Sequence, residues 1–208
     1  MSIVHETKWA LLLALFPEQE EEEKAREEEA RILAEQEAER QAAEEEAAAE
    51  AEPEEKAAAE KKEAKKEETV EEPPRTNGIL EVDYQAKGFH LDVLCAPEQV
   101  AEIAKILDEA GFFLEAISGV DWIKENQMEV IYDYSIVADE PCRVVARTKT
   151  PREEPVVPTV SDIFPGANWH ERETHEFFGI TFEGHPNLVP LLLPEDADFH
   201  PLRKDFKL

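Results

Sequence analysis

At 208 residues, with a formal net charge of −28 from 50 Asp and Glu against 22 Lys and Arg, the chain has room for one ordinary domain and a further segment. That charge excludes recognition of nucleic acid, or of anionic lipid, by electrostatics alone, because both need clustered cations. Cys95 and Cys142 stand 47 residues apart with no CxxC pair, so neither a zinc ribbon nor an iron–sulfur cluster can be built from this chain alone, and the two thiols read as small core residues.

The apolar run Trp9 to Phe16 is far shorter than the roughly 20 residues needed to span a bilayer, and an acidic block follows it at once. Residues 1–17 therefore read as a short helix or docking peptide. Residues 18–75 carry 24 Glu against 10 Lys and Arg, half of the chain's net charge, with almost no large apolar side chains. Such a segment cannot build a core. Its Ala, Glu, Lys, Gln and Arg are good helix formers, interrupted by Pro53 and closed by Pro73-Pro74, which predicts a solvated helical or disordered extension. Only Ile32 and Leu33 could seed a seam, so no coiled coil is expected.

Thr76-Asn77-Gly78 signals a turn, and residues 76–208 form the domain. Gly78 to Tyr84 and Phe89 to Cys95 read as a hairpin joined through Ala86-Lys87-Gly88. Pro97-Glu98 opens a helix whose Val100, Ile103, Ala104 and Leu107 form one apolar stripe, and Gly111 ends it. Three strands follow within Phe112–Trp122, Met128–Val137 and Cys142–Thr150, the middle one alternating Val130, Tyr132, Tyr134 and Ile136. The fold class is α+β, a small mixed or antiparallel sheet covered by an amphipathic helix. Pro151 to Pro158 reads as a linker.

The chemically dense stretch is Asn168 to Pro186, with three histidines, four carboxylates and one arginine. Asn168 and Glu171 are spaced as a capping box, predicting a helix from Trp169 that ends at Gly179. On it Arg172 and Glu176 share a face, as do Glu171 and His175, while Glu173 lines a third stripe with Phe177. His170 and His175 are five apart, one more than the zinc-protease spacing, so their imidazoles diverge by an extra ~100° and that motif fails. Glu171 with His175, or His185 and His200, could still converge on a metal through the fold. The sequence offers no nucleophile elbow, phosphate-cradling glycine loop or dinucleotide fingerprint, which argues against an autonomous enzyme. Residues 184–208 carry prolines at 186, 190, 194 and 201, so they form no long helix or central strand. They read as an extended arm lying on a partner protein, with Arg203 suited to a neighbour's carboxylate.

Glu171-Arg172-Glu173, Glu176, Phe177-Phe178-Gly179-Ile180, Gly184-His185-Pro186 and His200-Pro201-Leu202-Arg203-Lys204-Asp205-Phe206 together resemble the signature of a peripheral-arm subunit of respiratory complex I, the NADH–quinone oxidoreductase, and of its membrane-bound hydrogenase relatives, over roughly residues 79–208. The resemblance implies a non-catalytic structural subunit without catalytic, cofactor or metal residues of its own. It implies packing beside the subunit that helps form the quinone site, in the peripheral arm of a proton- or ion-translocating NADH–quinone oxidoreductase, peripheral to the cytoplasmic side of the inner (plasma) membrane. NAD, FMN, quinone and iron–sulfur clusters, or a NiFe centre, belong to partner subunits. Carried over by residue, Glu171, Arg172, Glu173, Glu176, His185, Pro186, His200, Pro201, Arg203, Lys204 and Asp205 form the subunit interface. Val189-Pro190, where many members carry two arginines, and His175 resemble the hydrogenase-associated branch, whose ferredoxin-linked [NiFe] enzymes are the alternative. Outside this family the readings that remain are a free-standing acidic interaction module and a small metallohydrolase.

Overall fold

The computed structural model describes residues 2–48 and 76–207. The breaks expected at Pro53 and Pro73-Pro74 lie outside the described residues. The protein divides into two compact units, residues 1–17 with 76–208, and residues 18–75.

In the second unit the helix-forming composition yields a 32-residue helix, α2, Pro17–Ala48. Exposed intrahelical pairs of the Arg31–Glu28 kind, 2.9 Å apart, lie along it, each worth a few tenths of a kcal/mol at most.

The first unit is built on a five-stranded sheet of β1 (Gly78–Glu81), β2 (Leu91–Cys95), β3 (Phe113–Trp122), β4 (Gln127–Ile136) and β5 (Cys142–Pro151). Its order is β1-β2-β5-β4-β3, with β2 and β5 parallel and the other neighbours antiparallel. The period of two in each strand sends one set of side chains to a common face. Val93, Ala146, Tyr132 and Ile117 make one row across four strands, and Cys95, Thr148, Val130 and Gly119 the next. The stripe of α4 (Val100–Glu109) is buried in the same apolar cluster. The opposite face is polar and paired, as in the Arg147–Asp92 bridge at 3.0 Å.

Between β1 and β2 the expected tight connection contains a single helical turn, α3 (Tyr84–Lys87), closed by Gly88 at φ 80°. The expected linker at residues 151–158 is corrected. Val156–Pro158 forms strand β6, parallel to β7 (Thr181–Glu183). Its Pro158 costs little there because the pair has only two strands, so both are edges.

Residues 1–17 also differ from the expectation of a separate segment. Ser2 caps helix α1 (Ile3–Leu15), accepting from His5 N at 3.3 Å. Leu11, Leu12 and Phe16 are buried in the apolar cluster of the domain. The Gln99 amide fastens the helix end, donating to Leu15 O at 3.2 Å while accepting from Ala96 N at 3.0 Å. Short apolar helices bury surface wherever a core offers it, and here the core is the protein's own. Replacing Leu12 with Ala is expected to cost about 2–5 kcal/mol of unfolding free energy. Chemical denaturation checks this, since a docking peptide outside the core would leave the midpoint unchanged.

Candidate functional site

Gly119 in β3 sets where helix α5 (Ala167–Phe178) can lie, because a side chain there would stand 2.6 Å from the Phe178 ring. The helix starts two residues earlier than the capping-box spacing predicts. Asn168 lies inside its first turn, and Gly166 precedes it without a side-chain cap. Glu171 does not serve as a capping partner because it points into the fold, with 0 % of its surface exposed. Burial also moves Glu176 and Thr174 out of solvent, so the helix is not charged on most sides as its composition suggests.

The buried Glu171 carboxylate accepts from Val160 N at 2.7 Å and from the Thr159 hydroxyl. These two contacts tie α5 to the end of β6. Desolvation pushes its pKa up to about 6 despite both bonds. His185 Nε2 stands 3.9 Å from it with no side-chain exposure. His185 Nδ1 accepts from Asn187 N at 3.0 Å, which leaves the proton on Nε2, donated to Asn168 O at 3.3 Å. With Nδ1 accepting, the imidazole is neutral and forms no ion pair with Glu171, and burial lowers its pKa.

On the same helix, Arg172 and Glu176 grip the arm by its backbone. Arg172 Nε and an Nη donate to Val189 O and Pro190 O, both at 2.9 Å. The Glu176 carboxylate accepts from Leu191 N at 2.7 Å, Leu192 N at 3.0 Å and Leu193 N at 3.1 Å. A fork of donors followed by a bifurcated acceptor, four residues apart on one helix face, thus reads five consecutive residues of main chain. Pro190 fits because its missing N–H is not asked for.

The last carbonyls of α5, which no helix can satisfy internally, are taken by the end of the arm. His200 Nδ1–H donates to Glu176 O at 2.9 Å, Leu202 N to Phe177 O at 3.2 Å, and Arg203 Nε to Phe178 O at 2.7 Å. A cation at a helix C-terminus also gains from the macrodipole. Gly179 must be glycine on two counts. Its φ is 74°, and a Cβ would lie 2.5 Å from the Arg203 guanidinium.

Beyond it, Lys204 N donates to Asp121 Oδ2 at 2.8 Å. Arg152 binds Asp121 through two bonds of 2.8 and 2.9 Å and reaches Asp205 at 2.6 Å. The Arg152 hydrogen bonds hold the Asp121 carboxyl below the usual carboxylate range. Asp121, Arg152, Thr159, Gly119 and Gly179 are site residues that the sequence pattern does not single out. One signal is present: Asp121 has the same parity as Ile117 and Gly119 on β3, so a charge stands at a core-facing position.

The structure therefore brings Glu171, Arg172, Glu176, His185, His200, Arg203, Lys204 and Asp205 into one cluster, with Pro186 and Pro201 shaping the arm between them. Within the chain they bind the arm to its own domain, because α5 presents donors and acceptors that the arm backbone meets. Glu173 is exposed and stands apart from this network. No group of three or more metal-ligating side chains occurs among the described residues. No helix there is long and apolar enough to cross a membrane.

Residues 93–208 match the model of a family described as the respiratory-chain NADH dehydrogenase, 30 Kd subunit. An NADH-quinone oxidoreductase subunit of Roseiflexus sp. (strain RS-1) is 42 % identical over 123 residues, covering 57 % of this sequence and 70 % of that protein. A subunit of the F(420)H(2) dehydrogenase of Methanosarcina mazei is 39 % identical over 93 residues, covering 44 % of this sequence and 58 % of that protein. A component of an archaeal respiratory membrane complex, the membrane-bound sulfane sulfur reductase, superposes with a TM-score of 0.52 at 30 % identity, covering 57 % of this sequence and 72 % of that component.

Two outcomes follow from the geometry. Glu176→Ala leaves three arm N–H groups without their acceptor, at a cost of about 2–3 kcal/mol for hydrogen bonds to a charge. Limited proteolysis is expected to cut residues 186–200 faster in that variant, with the sheet still intact. The raised pKa of Glu171 means that the folded state holds its proton more tightly than the unfolded chain. Its contribution is full below about 4.5 and lost as pH rises through about 6. The denaturation free energy of the wild type relative to Glu171→Gln is expected to fall by about 2 kcal/mol across that window. A flat difference would show that the carboxylate is not desolvated.

Proposed function

The protein belongs to the family of the respiratory-chain NADH dehydrogenase 30 Kd subunit, and from that membership we propose that it is a non-catalytic structural subunit. It stands in the peripheral arm of a proton- or ion-translocating oxidoreductase of the complex I type, packs against the subunit that helps form the quinone site, and lies on the cytoplasmic side of the membrane through its partners. NAD, FMN, quinone and iron–sulfur clusters are carried by those partners.

The observation that carries this reading is the clamp of Arg172 and Glu176 on the main chain of residues 189–193. Held by its backbone, the arm must turn some of its apolar side chains outward. Leu192 is 65 % exposed and Val189 44 %, beside Trp169 at 58 %, whose ring lies 5.3 Å from the Arg172 guanidinium. Exposed apolar side chains on a backbone-held arm are what a subunit interface needs and what a free monomer avoids. On this reading the family signature acts indirectly, by ordering the arm before assembly and so reducing the entropy that binding must overcome.

A second reading within the family keeps the same structural role in a ferredoxin-linked energy-converting hydrogenase. The similarity to the F(420)H(2) dehydrogenase subunit and to the archaeal respiratory complex supports it, as does Val189-Pro190 within the arm.

Purifying the full-length protein from native membranes in mild detergent through an N-terminal tag is expected to recover the quinone-site subunit together with iron–sulfur and membrane subunits, and the identity of the electron-input subunits separates the two readings. The isolated protein is expected to show no turnover with NADH or reduced ferredoxin and a quinone. Reproducible turnover by the pure protein, or its recovery without companions, overturns the proposal.

A further inference from the structure

Of the charges on α5, Glu171, Arg172 and Glu176 are consumed inside the domain. Glu173 is the exception. It is exposed, and among the described residues no hydrogen bond or ion pair engages it. It lines a cavity of about 240 Å³ between β3, α5 and the arm, whose other walls include Ile117, Thr174, Phe177, Phe178 and Leu202. β3 is an edge strand, bonded in the sheet only to β4, so this cavity lies at the border of the sheet where a second protein can reach it.

The lining selects its occupant. Beside the polar edge of Ser118 and Thr174, the apolar side chains of Ile117, Phe177, Phe178 and Leu202 take an aliphatic stem, and the Glu173 carboxylate asks for a cation at the end of it. That combination describes the long basic side chains, which bury their methylenes and keep the charged head at the rim. Two phenylalanine rings favour a planar guanidinium over a compact, strongly hydrated ammonium, because the former stacks on aromatic faces and forks onto a carboxylate.

The folded domain of a second copy, residues 76–208, is a poor donor. Arg143, Arg147, Arg152, Arg172 and Arg203, the five arginines of residues 76–208, are all bonded within the domain. A second copy would also bring another strongly acidic surface to the contact.

We propose that this cavity receives an arginine side chain from a heterologous neighbouring subunit, its guanidinium on Glu173 and its stem against Phe177 and Leu202. The identification of that neighbour as a subunit of the same complex rests on the function proposed above, whereas the chemistry of the cavity does not.

Two measurements on the full-length protein separate these claims. Titration with N-acetyl-arginine methylamide, followed by NMR, is expected to shift the signals of Ile117 and Thr174, with binding about two- to fivefold weaker in Glu173→Gln, the worth of a partly exposed ion pair. The norleucine analogue is expected to bind more weakly and to ignore that substitution. Shifts elsewhere, or equal binding of the arginine probe by both proteins, overturn the cavity assignment.

In the membrane purification, Glu173→Lys is expected to lower recovery of the quinone-site subunit about tenfold, since a like charge now faces the arginine, while the melting temperature of the isolated variant stays that of the wild type. Undiminished recovery overturns the arginine contact. If the wild type itself recovers no such subunit, the functional reading fails and the probe titration still decides the cavity.

Discussion

The Glu176 carboxylate accepting from three successive arm amides is the contact on which the site depends. An arm with four prolines in 25 residues cannot satisfy its own main chain through regular structure. It needs partners of fixed geometry, and a helix face offers them at a spacing of four residues. Arg172 supplies donors for the two carbonyls before the leucines, and Glu176 the acceptor for the three amides after them. Once that segment is seated, the rest of the arm returns along the helix, and His200, Leu202 and Arg203 close its open C-terminal carbonyls.

The same arrangement explains how an acidic domain tolerates buried carboxylates. Glu171 is compensated by the amide of Val160 and the hydroxyl of Thr159, Glu176 by arm amides, and Asp121 by Arg152 and Lys204 N. Only the last is balanced mainly by a cation. Depending on main-chain amides makes each carboxylate a joint between elements far apart in sequence, so Glu171 ties α5 to β6 and Asp121 ties β3 to the last residues of the arm. Opposite pKa shifts mark the difference. The desolvated Glu171 is raised and the cation-bound Asp121 is lowered.

Much of the fold is legible because its signals are local. The period-two runs of β3, β4 and β5, the apolar stripe of α4 and the glycines after α4 and α5 each follow from the propensity of a few neighbouring residues. Where local pattern misleads, a distant group has overridden it. Asn168 and Glu171 have capping-box spacing, yet Val160 N, 11 residues earlier, claims the Glu171 carboxylate. The prolines at 151, 155 and 158 suggest a linker, yet β7, more than 20 residues later, provides an edge to pair with. The run of leucines in α1 carries no mark of which surface it will cover.

Composition and short-range pattern were enough to establish which residue types the site could use, the α+β class and the make-up of the acidic extension, while the motifs within residues 171–206 carried the resemblance to the family. It took the three-dimensional arrangement to show that the signature charges bond the protein's own arm, that Asp121 and Arg152 belong with them, and that, among the described residues, Glu173 alone of the charges of Glu171 to Glu176 is left over. The physical reason is that a charged group's role depends on which donors and acceptors lie within about 3 Å of it, and here those groups come from residues 11 to 83 positions away.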